Sequence, residues 1–382
     1  MKVLHVYRTY FPDPPGGLKE AIRQIAMATE SLGADPCIFT LSPTPSPREL
    51  TIDGIKVIRS RSRLEISSCN LGGLDAIQTF RRLAKATDII HYHFPWPYAD
   101  LLNLFAPRRT PKVLTYHSDI VRQRLLGKLY RPARSSLLAS MNRLVATSDA
   151  YAQSSPVLTD FAWQSKTETI LLGISDQTQR CWDKVASLRK FGLEPGEPYF
   201  LFIGVLRYYK GLHYLIDASA SVNTKIMIVG DGPEVQALKR QCASNMRVIF
   251  TGTVSVADKF ALLTRCLALI LPSQMRSEAF GMALVEASMF AKPMVSCDIG
   301  TGTSFINQHG ETGFVVAPGS SSALANAMNR LLSDAGLRNT MGLNARNRYE
   351  SLFNEQALGK AYMSLYQSVL QEKQPASRPA TP

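Results

Sequence analysis

The chain has 382 residues, which is too long for one ordinary hydrophobic core and predicts two domains of roughly 150–200 residues each. Apolar residues make up 45% of the sequence and charged residues 19%, which is ordinary for a globular protein, and no apolar run reaches the roughly 18 residues of a membrane-spanning helix. The formal net charge is +13 and leans to the N-terminal half, whereas no nucleic-acid recognition module is visible, so nucleic acid is disfavoured as a partner.

The cysteines and the first residues favour a cytoplasmic protein. The six cysteines are scattered and contain no C-x-x-C pair, so we expect buried thiols rather than disulfides or metal ligands. Residues 1–7 read as the first strand of the fold and lack the pattern of a secretory signal.

Short β-rich runs alternate with helical patterns throughout the N-terminal half. A helix is predicted over residues 18–32, where apolar side chains share one face and Gly33 ends the pattern. The predicted strands are residues 3–7, 36–41, 55–59, 88–91, 112–116, 143–147 and 167–172. This alternation predicts a parallel sheet that is covered by helices on both faces.

Two features of this half point to anionic ligands. Gly16 and Gly17 join the first strand to the first helix, where backbone N–H groups can approach an anion closely. A basic amphipathic run extends over residues 122–134 and suits either an anionic membrane surface or a merely solvated basic face.

Polar side chains follow two of the predicted strands in this half. His91 and His93 alternate at one strand end, but no third ligand stands at a fixed spacing from them, so we predict no metal site there. His117 and Asp119 end the next strand and are expected at the ligand-binding edge of the sheet, with a purely structural histidine as the open alternative.

A second set of alternating elements begins near residue 198, after a linker predicted over residues 175–198. We therefore predict an N-terminal domain at 1–180, a C-terminal domain at 198–353, a last helix at 354–373 and a disordered tail at 374–382. The predicted strands of this half are residues 198–206, 225–229, 247–251, 267–271, 294–297 and 313–316. The predicted helices are residues 211–220, 233–242, 256–265, 280–291, 322–332 and 337–353.

The loops of the second half suggest how it would bind a phosphorylated ligand. Asp231 and Gly232 lie in a strand-to-helix turn, but the chain has no Walker A or dinucleotide-binding fingerprint. It also has no Asp-x-Asp pair that would hold a metal ion between diphosphate oxygens, so no metal is expected. Arg207 and Lys210, after the first strand of this half, are the cations available to a diphosphate.

Two carboxylates frame a largely apolar helix predicted over residues 280–291. Glu278 lies at the helix start and Glu286 is the one charged residue inside the helix, about 12 Å further along the axis. That separation does not suit a glycosidase acid/base pair, but it suits two contacts to one extended ligand. The spacing alone leaves open a structural alternative, a capping glutamate and a core glutamate paired to an arginine.

The order of these motifs resembles the retaining GT-B glycosyltransferases of family 4, from residue 3 to about 370. The resemblance is carried by Gly16-Gly17, the segment 209–211, the turn 230–233, Thr251-Gly252, the Glu278-x7-Glu286 signature and the segment 292–295. It implies two doubly wound Rossmann-like α/β domains that face each other across a cleft, with the last helix crossing back to the N-terminal domain.

The same resemblance implies roles for the residues that match. Glu278 and His117 would contact the donor sugar and Glu286 its ribose, and the backbone of Gly17, Phe280 and Gly281 would meet the diphosphate and the sugar. Lys210 and Arg207 would neutralise the leaving phosphate, although Val205 stands where the family usually has arginine. Gly16, Asp231 and Gly232 would complete the donor site, and His93 and Asp119 the acceptor side.

A narrower similarity, to bacterial O-antigen mannosyl- and rhamnosyltransferases, is carried by the segments 5–13, 91–95, 115–121, 207–211 and 299–305. It implies transfer of mannose or D-rhamnose from a GDP-sugar to a GlcNAc-primed acceptor on undecaprenyl diphosphate. The transfer would keep the anomeric configuration and use no cofactor or metal. The protein would then lie on the anionic cytoplasmic face of the inner membrane, through its basic N-terminal domain.

Three alternatives are open at this point. A family-4-like enzyme could use a UDP-sugar instead, and a nucleotide-sugar epimerase could be built on the same two-domain scaffold. A non-catalytic module that binds nucleic acid through its basic face would show steeply salt-dependent binding and no donor turnover.

Overall fold

The computed structural model describes residues 1–13, 17–66, 69–119, 124–179, 188–242 and 245–372. The chain forms two compact units. The first contains Met1–Leu172 and the last helix, which begins at Glu355, and the second contains Gly173–Asn354. The boundaries predicted from the sequence are 180 and 198, which lie within and at the end of the predicted linker at 175–198. The predicted tail, 374–382, and Gly16 lie outside the described residues.

The first unit is built on a mostly parallel sheet with strand order β3-β4-β2-β1-β6-β7-β8-β9, in which β5 also pairs with β4. Its strands are β1 (Lys2–Val6), β2 (Asp35–Ser42), β3 (Glu49–Ile52), β4 (Ile55–Ile66), β5 (Cys69–Gly72), β6 (Ile89–Phe94), β7 (Lys112–Tyr116), β8 (Arg143–Ala146) and β9 (Thr167–Thr169). Its first helices are α1 (Gly17–Glu30), α2 (Leu74–Lys85), α3 (Tyr98–Leu104), α4 (Arg124–Ala139), α5 (Asp149–Ser154) and α6 (Phe161–Gln164).

Burial explains why the central strands of this sheet are predictable. Every residue of β6 and β7 is buried, as expected for parallel strands covered on both faces. The antiparallel pairs β3–β4 and β4–β5 were not predicted. The exposed and half-buried residues of β3 show no continuous apolar run.

The last helix packs on the first helix within this unit. A Cβ atom added at Gly359 would lie 2.5 Å from the carbonyl oxygen of Ala28, so glycine is what allows the two helix backbones to approach so closely. On the same helix, Tyr362 and Tyr366 are fully buried. The helix therefore adds to the core of the first unit.

The second unit is a parallel sheet with strand order β12-β11-β10-β13-β14-β15. Its strands are β10 (Tyr199–Ile203), β11 (Lys225–Val229), β12 (Val248–Gly252), β13 (Leu269–Leu271), β14 (Met294–Cys297) and β15 (Gly313–Val316). The remaining helices are α7 (Leu212–Ala218), α8 (Val235–Gln241), α9 (Val256–Arg265), α10 (Met282–Met289), α11 (Gly302–Ile306), α12 (Ser321–Ser333) and α13 (Ala335–Arg348), with α14 (Glu355–Gln371) in the first unit.

Glycine geometry accounts for two differences from the predicted elements. The helix predicted from residue 280 begins at Met282, because Gly281 precedes it in the left-handed region with φ 95°. The helix predicted from residue 211 begins at Leu212, after the 3-10 turn Tyr208–Lys210 and Gly211 with φ 67°. Among the described residues, no helix combines the length and apolar character needed to cross a membrane.

Candidate active site

A buried ion pair joins two loops at the carboxyl edge of the second sheet. Lys210 ends the 3-10 turn that follows β10, and Glu278 lies in the loop that follows β13, the strand next to β10 in the sheet. The Lys210 ammonium contacts Oε2 of Glu278, and both residues are 9% exposed. Because the two strands are neighbours, residues 68 positions apart meet in one site.

Hydroxyl groups and backbone amides hold Glu278 in place. Ser273 donates a hydrogen bond to Oε2 of the carboxylate at 3.1 Å, and Thr301 donates one to the backbone carbonyl of Glu278 at 2.8 Å. The backbone N–H of Gly302 donates to the carbonyl oxygen of Ala279 at 2.9 Å. The sequence analysis assigned no role to Ser273 or Thr301, because a lone hydroxyl in a loop carries no spacing signal.

The ion pair keeps Lys210 charged. Burial by itself lowers the pKa of this lysine, but the Glu278 carboxylate more than offsets that effect, so the pKa of Lys210 is raised above its ordinary value. The site therefore holds a protonated ammonium group in a buried position, with the Glu278 carboxylate as its counter-ion.

Close backbone packing fixes the loop that carries Lys210. A Cβ atom added at Gly211 would lie 2.1 Å from the carbonyl oxygen of Pro272, the residue before Ser273. A Cβ atom at Gly204 would lie 3.6 Å from the Lys210 ammonium nitrogen. The distance at Gly204 is an ordinary van der Waals contact, so it is the glycine at position 211 that lets the loops after β10 and β13 meet.

The predicted turn with Asp231 and Gly232 packs against the same region. A Cβ atom at Gly232 would lie 2.4 Å from the carbonyl oxygen of Leu206, and the Leu206 amide donates to the carbonyl oxygen of Asp231 at 2.9 Å. The exposed Asp231 side chain accepts a hydrogen bond from the Gly232 amide at 2.7 Å. The turn is thus joined to the loop after β10, and its close packing against Leu206 requires glycine at position 232.

The other residues of the second unit that are predicted to contact the donor differ in their side-chain partners. Glu286 forms an ion pair with Lys259 of α9 at 2.6 Å, so the structural alternative of a paired core glutamate is present, with lysine in place of arginine. Arg207 is exposed and makes no ion pair or hydrogen bond through its side chain among the described residues. The Phe280 ring is buried against Phe353, so this side chain is part of the core of the second unit.

In the first unit, histidines on β1 and β6 and directly after β7 form a buried cluster. His5 Nδ1 lies 3.1 Å from His93 Nε2, and His93 Nδ1 lies 3.0 Å from His117 Nε2. His91 is bound on both nitrogens, to the Tyr366 hydroxyl at 2.7 Å and to Thr115 at 2.7 Å. His5, which the sequence analysis did not single out, enters the cluster because β1 lies beside β6 in the sheet.

The predicted acceptor residues are less open than expected. His93 is 1% exposed and both of its ring nitrogens are engaged, so neither is left for an acceptor. Asp119 accepts hydrogen bonds from Tyr116 at 3.0 Å and from Ser155 at 2.8 Å.

Gly17, which is predicted to contact the donor, begins α1 and is exposed, and a Cβ atom there would meet nothing within 4 Å.

The fold brings a third histidine close to His91 and His93, which their spacing in the sequence does not indicate. His5, His91 and His93 bring ring nitrogens within 4.8 Å of one another. Both ring nitrogens of His91 are already hydrogen-bonded, to Tyr366 and to Thr115. The cluster is therefore better described as a hydrogen-bond network than as a ligand set.

A known protein family matches most of each of the two units. The family described as "Glycosyl transferases group 1" matches residues 183–348, and the "Glycosyl transferase 4-like domain" matches residues 16–156. The chain is 40% identical over 376 residues to the O-antigen chain mannosyltransferase C of Escherichia coli, covering 98% of this chain and 100% of that protein.

The chain is also similar to a second curated protein and to a solved structure. The chain is 42% identical over 355 residues to the D-rhamnosyltransferase WbpZ of Pseudomonas aeruginosa, covering 92% of each. The crystal structure of Anabaena HepE in complex with UDP and glucose matches 96% of this chain and 100% of that chain with a TM-score of 0.79 and 22% identity.

Proposed function

The chain belongs to the group 1 glycosyltransferases, and we propose that it transfers mannose or D-rhamnose from a GDP-sugar to a GlcNAc-primed acceptor on undecaprenyl diphosphate. The transfer would serve O-antigen synthesis, retain the anomeric configuration and need no metal ion. The names of the two relatives, a mannosyltransferase and a D-rhamnosyltransferase, support this choice of sugar.

The observation that carries the proposal is the buried Lys210–Glu278 pair. The Lys210 ammonium has three N–H donors, so it can keep Glu278 and still bind an oxygen of the leaving diphosphate. Both partners of the Glu278 carboxylate, Lys210 and Ser273, contact Oε2. Oε1 is left to accept a hydrogen bond from a sugar hydroxyl, so one pair could hold both ends of the bond that breaks.

The proposed reaction proceeds on one face of the donor sugar. The bond from the anomeric carbon to the β-phosphate oxygen breaks, and the bond to the acceptor oxygen forms. The acceptor proton passes to the departing β-phosphate, so the products are the glycoside and GDP. Lys210 would stabilise the charge on the phosphate. Glu278 would orient the sugar instead of attacking it, because its carboxylate is held by Lys210 and Ser273.

Donor choice is tested by thermal stabilisation. A nucleotide sugar at 100 times its Kd stabilises the folded protein by about 2.7 kcal/mol, which corresponds to a rise in Tm of about 5–11 °C for a domain of 150–250 residues. We expect this rise with GDP-mannose and GDP-D-rhamnose, and a much smaller one in the Lys210→Met variant.

Two results would contradict the proposed donor and reaction. Stabilisation by a UDP- or ADP-sugar but by neither GDP-sugar would make the choice of donor wrong. Conversion of the nucleotide sugar to its epimer without any acceptor would indicate an epimerase instead of a transferase.

The proposed lipid-linked acceptor requires contact with a membrane, and one exposed face of the first unit suits it. Leu101, Leu104 and Phe105 lie on one face at the end of α3 and are 41%, 73% and 41% exposed. Arg108 and Arg109 follow directly and are also exposed. Apolar side chains beside two cations fit an anionic lipid surface, where each cation adds about 1 kcal/mol.

Membrane binding by this face is tested by vesicle sedimentation. Leu104→Glu is expected to reduce binding to vesicles of phosphatidylglycerol and phosphatidylcholine at least tenfold, because a carboxylate would replace an inserted apolar side chain. Leu343→Glu is the matched control, since Leu343 is 62% exposed but lies in the second unit. Equal loss in both variants, or equal binding to neutral vesicles, would contradict the assignment.

A further inference from the structure

Three imidazole rings of the first unit form one continuous hydrogen-bonded chain. The order is His5 Nδ1 to His93 Nε2 at 3.1 Å, then His93 Nδ1 to His117 Nε2 at 3.0 Å. The rings of each pair lie edge to edge, with centroids 5.4 and 5.3 Å apart and ring planes 15° and 27° apart. His5 and His93 are completely or almost completely buried, and His117 at the outer end is 7% exposed.

Burial keeps these rings neutral. It lowers the pKa of His5 and of His117 to about 3, and it lowers the pKa of His93 well below its ordinary value. A neutral imidazole has one N–H donor and one bare nitrogen that accepts. Each ring of the chain therefore carries one proton at neutral pH, on Nδ1 or on Nε2.

The contact pattern ties the positions of the three protons together. If His93 donates to His117 through Nδ1, its Nε2 accepts from His5, and all three rings carry their protons on Nδ1. If His117 donates to His93 instead, all three rings carry their protons on Nε2. In both arrangements the three rings share one tautomer, and a mixed arrangement would lose a buried hydrogen bond. That loss costs about 1–3 kcal/mol.

The hydrogen-bonded chain of rings ends at His5. Nε2 of His5 is buried without a hydrogen-bond partner in the part of the chain that the structure describes. A proton entering at His117 thus has no described group beyond His5 to reach. The arrangement suits the fixing of a tautomer and not the conduction of protons through the sheet.

The outer end of the chain is the functional one. Nδ1 of His117 has no hydrogen-bond partner among the described residues, whereas Nε2 is held by His93. We propose that His5 and His93 are positioning residues that tie the His117 ring to the tautomer of the whole chain of rings, so that the three rings together set the hydrogen-bonding role that its Nδ1 atom offers to the sugar substrate. The substrate in this statement rests on the proposed function, but the coupling of the three rings does not.

The coupling can be measured on the full chain without any substrate. In protein labelled with ¹⁵N in the histidine rings, two-bond correlation spectra distinguish the Nδ1–H from the Nε2–H tautomer, and single substitutions assign the six histidines. We expect His5, His93 and His117 to show the same pure tautomer. Different tautomers in neighbouring rings, or averaged ring-nitrogen shifts at His117, would overturn the proposal.

A pair of variants separates positioning from general packing. His93→Phe keeps an aromatic ring but removes the partner of His117 Nε2, so the two ring-nitrogen shifts of His117 should move together toward a tautomer average. His91→Phe is the matched control, because His91 is equally buried but is bound to Tyr366 and Thr115, outside the chain of three rings. It should leave the His117 tautomer unchanged. An unchanged His117 spectrum in folded His93→Phe would also overturn the proposal, and if that variant does not fold, the wild-type spectrum alone decides.

The effect on turnover distinguishes this inference from the proposed function. His93→Phe should lower kcat for sugar transfer on the order of 10–100-fold, the size of the loss when groups that orient metal-bound histidines are removed. A wild-type protein that shows the shared tautomer but transfers no sugar would contradict the proposed function and leave the coupling intact. A wild-type protein that transfers sugar with unlinked tautomers would contradict only the coupling.

Discussion

Replacing Glu278 by glutamine is expected to lower kcat for sugar transfer on the order of 10²–10³-fold, the usual effect of removing one preorganised electrostatic group. The substitution keeps the size of the side chain but removes the charge that Lys210 faces. It also leaves a buried ammonium group without its counter-ion, which typically costs about 3–5 kcal/mol of stability. Steady-state kinetics with a saturating GDP-sugar, together with urea unfolding, measure both effects.

A double-mutant cycle separates the pair from its surroundings. Lys210→Met and Glu278→Gln should each destabilise the protein, whereas the double variant should lose less than the sum because neither charge remains unpaired. A coupling free energy of about 0.5–3 kcal/mol is expected for two groups in contact. Glu286→Gln is the matched control for the stability measurement, where we expect a smaller loss because its partner Lys259 is more exposed than Lys210. A Glu278→Gln variant that transfers sugar at the wild-type rate would remove Glu278 from the mechanism.

Gly211→Ala is expected to reduce the free energy of unfolding of the second unit by about 2–5 kcal/mol. About 1–2 kcal/mol comes from the left-handed backbone at φ 67°, and the rest from a Cβ atom that would lie 2.1 Å from the Pro272 carbonyl oxygen. Because Gly211 follows Lys210 directly, movement of the loop would also displace the ammonium from Glu278, so sugar transfer should fall with stability.

Gly252→Ala is the matched control for this prediction. Gly252 has nearly the same backbone angle, φ 69°, but a Cβ atom there would meet nothing within 4 Å. Its loss should be limited to the backbone cost of about 1–2 kcal/mol. Urea unfolding of the full chain measures both variants, and equal losses would show that contact with Pro272 contributes nothing.

The sequence alone was sufficient for the architecture and for the family. Runs of buried apolar residues and turn glycines gave strands at Lys112–Tyr116, Lys225–Val229, Met294–Cys297 and Gly313–Val316 with the bounds that the structure has. The alternation of strands and helices predicted two parallel sheets, and the motif order predicted a GT-B glycosyltransferase. The structure confirms the two sheets, the first of which also contains the antiparallel pairs β3–β4 and β4–β5. The family matches and the two relatives at 40% and 42% identity confirm the family.

The assignment of partners to the site residues could not be predicted in the same way. From the sequence, Lys210 is predicted to contact a phosphate, Glu278 a sugar and His93 the acceptor. The structure pairs Lys210 with Glu278 and encloses His93 between His5 and His117. Ser273 and Thr301 were quoted within motifs, but nothing in their spacing indicated that both would hold Glu278.

The physical reason is the order of the strands. Local periodicity reports whether a residue lies in a strand or a helix, and the sequence determined that much, including the glycines that each tight turn requires. Which loops become neighbours depends on crossover connections, and these place β10 beside β13 and β1 beside β6 although other strands intervene in the sequence. Only the tertiary structure therefore decided that Glu278 would face Lys210 and that His5, from the first strand, would complete the histidine chain.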